Sequence, residues 1–276
     1  MIVNSKVERN DLSEKVAIVT GGAGLLGTDY CLTLSAAGAK VCIADVEFEA
    51  ASTLAAKITE TTGTSVIPHQ TDVSDAASVR TCVKATMEEF GRVDILVNNA
   101  AINPKFDRDH ANAHLDTFET FPLKAWQESL DVNVTGMFLC AQAVSEPMLN
   151  AGGGVMVNIS STYGMVGPDQ RLYQRDGIPP TYKPVTYTVS KAAAHGLTRY
   201  LATYFAGKGI RVNTLTPGGV FADHDEEFVR RYSEKTVLGR MAEPHEMSSA
   251  LLFLVSDASS YMTGANLVVD GGWTAW

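Results

Sequence analysis

The stretch Lys15–Gly27, KVAIVTGGAGLLG, decides the fold predicted for this chain. Its apolar run Val16–Val19 is typical of a strand buried on both faces, and a glycine-rich turn follows at once. Gly21, Gly24 and Gly27 leave the backbone without β-carbons, so a pyrophosphate can approach the N–H groups that open the next helix. The stretch therefore predicts a strand, a tight turn and a helix, arranged to bind a dinucleotide.

Asp45 ends the second predicted strand and supports the same interpretation. It lies eighteen residues after Gly27, close to the offset of about 20 expected of a carboxylate that binds the adenosine ribose hydroxyls. A glycine turn alone is also compatible with a strand-to-helix connection that binds nothing. The two features together predict dinucleotide binding and favour NAD, because Asp45 would repel the 2′-phosphate of NADP. Its neighbours Ala23, Val46 and Glu47 offer no cation to offset that repulsion.

The spacing Thr-Gly-x-x-Gly-x-x-Gly, from Thr20 to Gly27, resembles the glycine turn of the short-chain dehydrogenase/reductase superfamily. Compact single-domain members usually carry Thr-Gly-x-x-x-Gly-x-Gly, whereas the pattern here is similar to that of larger members that modify sugar nucleotides. Leu25 stands where compact members place their middle glycine. We therefore expect a different local path of the turn that still holds a pyrophosphate.

The composition is ordinary for one α/β domain spanning residues 1–276. The chain has 45% hydrophobic residues and a net charge of −9, and this acidic balance disfavours nucleic acid and anionic membranes as partners. Met1–Glu14 lacks the apolar centre of a secretory signal, and no run approaches the roughly 18 apolar residues of a membrane span. The four cysteines occur singly, without the spacing of a metal or redox site. We therefore expect a cytoplasmic protein with free, mostly buried thiols.

Strand and helix patterns alternate along the chain, which predicts a doubly wound, Rossmann-type parallel sheet with helices on both faces. Six predicted strands follow the first one, at Lys40–Ala44, Ser65–His69, Val93–Val97, Gly154–Ile159, Arg211–Leu215 and Asn266–Val269. The predicted helices are Thr28–Ala37, Glu47–Thr61, Ser74–Phe90, Pro122–Leu149, Thr186–Gly207 and Pro244–Ser256.

The segment Tyr187-Thr-Val-Ser-Lys191 opens the predicted helix after the fifth strand. Residues four apart share a helix face, so the phenol and the ammonium point into the same space. A nearby cation lowers the pKa of a tyrosine from its usual value near 10. The pattern alone is common on solvated helices, but downstream of a dinucleotide turn it matches the acid–base pair of the superfamily. The resemblance implies that Tyr187 exchanges the proton and that Lys191 also binds the nicotinamide ribose.

Two further residues complete the catalytic group that the resemblance implies. Ser161, followed by two residues and Gly164, matches the serine that donates to the substrate oxygen, with Ser160 as the fallback. A serine at a strand end is otherwise a turn cap. Asn133 matches the asparagine that holds a water between the lysine and solvent, although a lone asparagine in a helix more often marks a kink. The predicted catalytic residues are Asn133, Ser161, Tyr187 and Lys191.

Several loops at the strand ends resemble the cofactor contacts of the superfamily. Asp72-Val73 matches the pair that contacts adenine, and Ser74 beside it leaves a helix N-cap as the alternative. Ala101 replaces the glycine of an Asn-Asn-Ala-Gly turn, and Ala222 replaces a threonine beside the nicotinamide. The resemblance implies NAD contacts from Gly21, Gly24, Leu25, Leu26, Asp45, Asp72, Val73, Asn99, Ala100, Ala101, Tyr187, Lys191, Pro217, Gly218 and Val220.

Two loops on the substrate side, residues 102–121 and 162–186, are longer than those of compact members. Their polar side chains predict a pocket for hydroxyls and a carboxylate or phosphate, with Arg171 or Arg175 at the anionic end. A solvated lid is the alternative. A metal at His110 and His114 is disfavoured, because no companion ligands accompany them. The polar loop residues are Lys105, Arg108, His110, Gln170, Arg171, Arg175 and Lys183.

The resemblance covers the chain from about Glu14 to Gly272, and its loops are similar to those of gluconate 5-dehydrogenase-type enzymes and of surface-glycan oxidoreductases. It implies an NAD-dependent oxidoreductase of a secondary alcohol or ketone on a sugar, sugar acid or activated sugar, assembled as a dimer or tetramer. One alternative is an NADPH-dependent 3-oxoacyl thioester reductase, which would want a basic residue near the dinucleotide turn. The other is a non-catalytic dinucleotide sensor, which would be expected to lose Tyr187 or Lys191.

Overall fold

A seven-stranded parallel sheet forms the centre of the computed structural model, which describes residues 9–103, 117–175, 177 and 180–276. The strand order is β3-β2-β1-β4-β5-β6-β7. The strands are β1 Val16–Thr20, β2 Lys40–Asp45, β3 Val66–Gln70, β4 Ile95–Asn98, β5 Gly154–Ile159, β6 Ile210–Pro217 and β7 Asn266–Val269. The order reverses between β1 and β4, and parallel sheets bind ligands beyond the carboxyl ends of their strands at such a switch point.

Helices cover both faces of the sheet and bury its central strands; all five residues of β1 are buried. α1, α2 and α8 pack on one face with Tyr30 and Leu254 in the core, and α3, α5 and α6 pack on the other with Val144. The helices are α1 Leu25–Ala36, α2 Phe48–Thr62, α3 Ala76–Phe90, α4 Leu123–Leu130, α5 Gly136–Asn150, α6 Val185–Tyr204, α7 Glu226–Ser233 and α8 Pro244–Val255. The predicted Rossmann-type architecture is confirmed.

The predicted helix Pro122–Leu149 is interrupted in the structure. A π-helical turn at Asp131–Thr135 separates α4 from α5, and Asn133 lies at its centre. The apolar spacing on either side is helical, so the sequence pattern did not reveal this change of hydrogen bonding. π-helical turns occur frequently at functional sites.

The short helix α7 was not predicted, although its sequence carries local helix signals. Asp225 caps it by accepting a hydrogen bond from the Phe228 backbone N–H at 3.0 Å. Glu226 and Glu227 lie in its first turn and two arginines in its last, as the helix dipole favours. Because α7 is short, its sequence pattern was not distinguished from that of the surrounding loops. The helix nevertheless supplies part of the cleft described below.

All four cysteines are free and buried, as the sequence predicted. Sγ of Cys42 lies 3.8 Å from Sγ of Cys82, between β2 and α3. Among the described residues, no helix combines the length and apolar character needed to cross a membrane.

Candidate active site

A cleft of about 1030 Å³ lies beyond the carboxyl ends of the strands. Glycines of the β1–α1 turn and Asp45 line one end, and Ser161, Tyr187 and Lys191 line the other. The remaining predicted cofactor contacts also line it: Leu25, Leu26, Asp72, Val73, Asn99, Ala100, Ala101, Pro217, Gly218 and Val220. The fold thus brings together residues that are far apart in the sequence.

The glycine turn after β1 has the shape that a pyrophosphate needs. Gly21 has a φ of +59°, and a β-carbon on Gly27 would lie 2.1 Å from the Gly21 carbonyl oxygen. The N-cap of α1 is Gly24, which has no side chain to cap the helix. The N–H groups of the first turn therefore remain available to a ligand in the cleft, where the helix dipole favours an anion.

Asp45 is held rigidly at the end of β2. Its carboxylate accepts hydrogen bonds from the Ala23 N–H at 2.9 Å and the Glu47 N–H at 3.1 Å. It is only 9% exposed but lines the cleft. The carboxylate therefore connects the glycine turn to the strand end and presents acceptor oxygens to the cleft.

The turn after β4 is tied to the turn after β1. The Asn99 amide donates to the Thr20 and Gly21 carbonyl oxygens at 3.1 and 2.9 Å. The Thr20 hydroxyl in turn accepts hydrogen bonds from the Asn99 and Ala100 N–H groups. These contacts hold two cofactor-side loops together and fix the floor of the cleft.

Asp72 and Gly218 mark two other edges of the cleft. The Asp72 carboxylate accepts hydrogen bonds from the backbone and hydroxyl of Ser74, at 2.9 and 2.6 Å. The N-cap of the following helix, α3, is Asp75. Asp72 therefore does not cap that helix; it forms the turn with Ser74 and also lines the cleft. A β-carbon on Gly218 would lie 2.7 Å from the Asp270 Cα, so only glycine fits at that edge.

Tyr187 lies in the first turn of α6 with its ring partly buried in the cleft. Burial raises the pKa of Tyr187, while a hydrogen bond with the Ser161 side chain acts in the opposite direction. The sequence led us to expect a lowered pKa from Lys191, whose Nζ is 5.8 Å from the ring centroid. The structure contradicts that expectation, because burial raises the pKa of Tyr187 by more than the Ser161 hydrogen bond lowers it.

Lys191 is buried one helical turn along α6 from Tyr187. Its ammonium donates to the Ile159 carbonyl oxygen at 2.9 Å, at the end of β5. Burial lowers the pKa of Lys191 to about 8. An ammonium has three N–H donors, so donors remain for a ribose hydroxyl and for the phenol side of the cleft.

The two serines after β5 have different surroundings. The Ser160 hydroxyl donates to the Lys191 backbone carbonyl at 2.7 Å and lies 3.0 Å from Nε2 of His195. Ser161 accepts a hydrogen bond from the Tyr163 N–H and contacts the Tyr187 hydroxyl. Ser160 therefore fixes α6 to the strand end, whereas Ser161 lies beside the Tyr187 hydroxyl.

Replacing Ser161 with alanine is expected to lower kcat by about 10²-fold, because one positioned donor to a developing oxyanion contributes about that much. Steady-state kinetics with the best substrate would measure the loss, and NADH titration should show an unchanged Kd. Ser160→Ala is the matched control, expected to lower Tm more and kcat less than Ser161→Ala. A larger loss of kcat in Ser160→Ala would move the donor role to Ser160.

Asn133 lies behind the cleft instead of lining it. Its side chain accepts from the Ile102 N–H at 2.6 Å and donates to the Ile102 carbonyl at 3.1 Å and to the Ser190 hydroxyl at 3.1 Å. It therefore connects the π-helical turn to the loop after β4 and to α6. These contacts make Asn133 a positioning residue, and its role in holding a water stays a prediction.

Aromatic side chains form one wall of the substrate end, which no pattern in the sequence had predicted. Tyr163, Tyr173, Phe228 and Tyr232 pack together, and the Tyr173 hydroxyl donates to the Tyr163 hydroxyl at 3.2 Å. Loop 162–186 and α7 bring these rings together from distant parts of the chain. Only the acidic cap and periodicity of α7 could have indicated this wall from sequence.

The two arginines predicted to bind an anionic substrate lie away from the cleft lining. Arg171 is 86% exposed and pairs with Asp169 at 2.7 Å. Arg175 is largely buried and pairs with Asp225 at 2.8 Å, between loop 162–186 and α7. Both guanidinium groups therefore pair with carboxylates of the protein itself. Among the described cations of loop 162–186, Lys183 lines the cleft.

Four other loop residues in the sequence predictions, Lys105, Arg108, His110 and His114, fall outside the described residues. Among the residues that are described, no group of three or more histidine, cysteine or acidic side chains could hold a metal.

The glycine turn, Asp45 and the Tyr187–Lys191 pair line one cleft, as is expected of a nicotinamide-dependent oxidoreductase. A family model described as Enoyl-(Acyl carrier protein) reductase matches residues 23–274. The chain is 36% identical over 271 residues to D-threitol dehydrogenase of Mycolicibacterium smegmatis, with 95% of this chain and 94% of that protein covered. It is 37% identical over 261 residues to a 3-alpha-(or 20-beta)-hydroxysteroid dehydrogenase of Mycobacterium bovis, with 95% and 90% covered.

A solved structure of a gluconate 5-dehydrogenase from Burkholderia cenocepacia, in complex with NADP and tartrate, superposes with a TM-score of 0.84. Its sequence is 29% identical, and the match covers 97% of this chain and 98% of that one. The chain belongs to the short-chain dehydrogenase/reductase family. It is an oxidoreductase of alcohol and ketone groups, and its family binds a nicotinamide dinucleotide.

Proposed function

We propose that this protein is an NAD-dependent dehydrogenase that oxidises a secondary hydroxyl on a small polar substrate: a polyol, sugar, sugar acid or activated sugar. One observation carries the proposal. A single cleft has a rigid carboxylate, Asp45, at its cofactor end and the Ser161, Tyr187 and Lys191 side chains at its other end.

Each of the three catalytic side chains has a different role in the proposed reaction. Tyr187 accepts the proton of the substrate hydroxyl, and Ser161 donates a hydrogen bond to the same oxygen as charge develops on it. Lys191, anchored to the Ile159 carbonyl oxygen, stabilises the phenolate and binds the nicotinamide ribose. NAD, when bound, would supply the acceptor for the hydride of the carbinol carbon.

The choice of NAD rests on the charges around Asp45. Val46 and Glu47 follow it, and Ala23 faces it, so none of these neighbours of Asp45 offers a cation to a 2′-phosphate. The described lysines that line the cleft, Lys183 and Lys191, lie at its catalytic end. The absence of a basic residue in the glycine turn and just after β2 also disfavours the NADPH-dependent 3-oxoacyl thioester reductase.

The polar substrate is supported by side chains that combine rings with polar tips. Tyr163, Tyr173, Asn103 and Lys183 all line the cleft, so C–H faces of a substrate can pack on rings while its hydroxyls form hydrogen bonds. The similarity to D-threitol dehydrogenase also favours a polyol-like substrate. The same aromatic wall and the hydroxysteroid dehydrogenase relative favour an apolar ring alcohol as the second candidate.

A substrate screen separates these candidates. The purified protein is incubated with NAD or NADP and with polyols, sugar acids, nucleotide-linked sugars, cyclohexanol and a hydroxysteroid. We expect NADH formation with a polar alcohol, at a higher kcat/KM than with either apolar alcohol. Turnover of the apolar alcohols alone would contradict the proposal, and no turnover with any alcohol would favour the dinucleotide sensor.

A further inference from the structure

Lys183 is a second lysine beside the catalytic tyrosine. It lies four residues before Tyr187 in the sequence, and its Nζ is 4.1 Å from the centroid of the Tyr187 ring. Lys191 lies farther from the same ring, at 5.8 Å. Lys183 lines the substrate end of the cleft, so its ammonium is close to the position where a substrate hydroxyl would meet the phenol.

The position of Lys183 is built by contacts from both long loops. The Gln170 side chain accepts from the Lys183 N–H at 2.8 Å and donates to the Lys183 carbonyl at 3.3 Å. The Lys183 ammonium donates to the Asn103 side-chain oxygen at 2.5 Å, at the start of the other loop. The side chain is therefore held across the mouth of the cleft by contacts that fix its backbone and its charged end.

The charge of Lys183 is not neutralised by the described part of the chain. Its polar side-chain partner is the neutral Asn103 amide, and no described carboxylate forms an ion pair with it. Burial and the like charge of Lys191 lower the pKa of Lys183 to about 7. An ammonium in this environment is costly without a counter-ion, and a carboxylate would form a strong charge-assisted hydrogen bond with it.

We propose that Lys183 is a specificity-determining residue whose ammonium receives a carboxylate carried on, or one carbon beyond, the reacting carbon of the substrate. The inference rests on the proposed function and narrows it to small 2- or 3-hydroxy acids, such as short sugar acids. Because Lys183 lies over the ring of Tyr187, a substituent next to the carbinol reaches the ammonium while the hydroxyl contacts the phenol. A carboxylate at the far end of a long chain would not reach the Lys183 ammonium in this position.

The test compares threonate with threitol, which has the same number of carbons but no carboxylate. Lys183→Met is expected to raise KM for threonate by about tenfold, the effect of losing about 1.4 kcal/mol of binding. The KM for threitol should change by less than about twofold. Lys183→Arg, which keeps the charge, is expected to retain a KM for threonate below that of Lys183→Met. A similar change for both substrates, or for neither, would overturn the inference.

Two controls separate specificity from loop structure. Asn103→Ala removes the contact that holds the charged end of Lys183 but keeps the ammonium, so it should reduce the preference for threonate over threitol less than Lys183→Met does. Lys124→Met removes an exposed lysine of α4 and should change neither KM. Loss of the preference in Asn103→Ala to the same extent as in Lys183→Met would assign the effect to loop structure and overturn the inference.

Titration calorimetry distinguishes failure of this inference from failure of the proposed function. Threonate is titrated into the NADH-bound wild-type protein and into the NADH-bound Lys183→Met variant, which measures binding without turnover. We expect Kd to rise by about tenfold in the variant. Equal binding by both proteins, or no binding by the wild type, would overturn the role of Lys183, whereas binding without any oxidation would contradict the proposed function alone.

Discussion

Tyr187→Phe is expected to lower kcat for alcohol oxidation by about 10³-fold, within the range of about 10²–10⁴ contributed by a positioned acid or base. The substitution removes the hydroxyl but keeps the ring, so the contacts of the ring with Lys183 and Lys191 remain. We therefore expect an unchanged Tm and an unchanged Kd for NADH. Stopped-flow or steady-state assays with the best substrate would measure kcat, and NADH fluorescence would measure binding.

The matched control for Tyr187→Phe is Tyr163→Phe, in the neighbouring ring. The Tyr163 hydroxyl accepts a hydrogen bond from the Tyr173 hydroxyl, whereas the Tyr187 hydroxyl contacts Ser161, so Tyr163 is not paired with the proposed oxyanion donor. Removal of the Tyr163 hydroxyl should lower kcat by less than about tenfold. If Tyr187→Phe retains more than a tenth of the wild-type kcat, another base carries the proton.

The second large effect concerns the cofactor: kcat/KM with NAD is expected to exceed that with NADP by about 10²-fold. Asp45 is nearly buried and held by two backbone N–H groups, so it cannot swing away from a 2′-phosphate. Repulsion between the carboxylate and that phosphate is little screened at such a site. The solved structure of the gluconate 5-dehydrogenase is a complex with NADP, so the two cofactors have to be compared directly on this protein.

Substitutions near β2 test the origin of that preference. Asp45→Asn removes the charge but keeps the shape, and it should reduce the preference for NAD by about tenfold. Adding Val46→Arg, at a residue that is 53% exposed, should bring NADP to equal or higher efficiency because guanidinium binds phosphate well. Asp45→Asn/Val46→Met is the uncharged control. Equal use of both cofactors by the wild type would contradict the role of Asp45.

The parts predicted correctly from sequence are those with local signals. The glycine turn specifies the strand before it and the helix after it. The pattern of short apolar runs predicted seven strands within a few residues of their observed ends. The carboxyl ends of parallel strands meet at one edge, so Asp45, Ser161 and Pro217 were expected to surround one cleft, and they do. The single-domain arrangement and the dimer or tetramer stay predictions.

The parts that sequence could not predict depend on contacts between distant loops. The Lys183–Asn103 hydrogen bond joins residues eighty positions apart, and no local pattern specifies it. Arg171 and Arg175 were assigned to a substrate because their carboxylate partners could not be identified from spacing; those partners are Asp169 and Asp225. Long polar side chains in loops pair with whatever opposite charge the fold brings near.

Deuterium labelling of the carbinol carbon tests most directly whether this site transfers a hydride from a secondary alcohol to NAD. The wild-type protein is incubated with NAD and a polar secondary alcohol that carries deuterium on the carbinol carbon, and the products are analysed by mass spectrometry and NMR. We predict a ketone product and NADH that carries the deuterium at nicotinamide C4, with neither formed at a comparable rate by Tyr187→Phe. NADH without deuterium, or equal turnover by Tyr187→Phe, would contradict hydride transfer at this site.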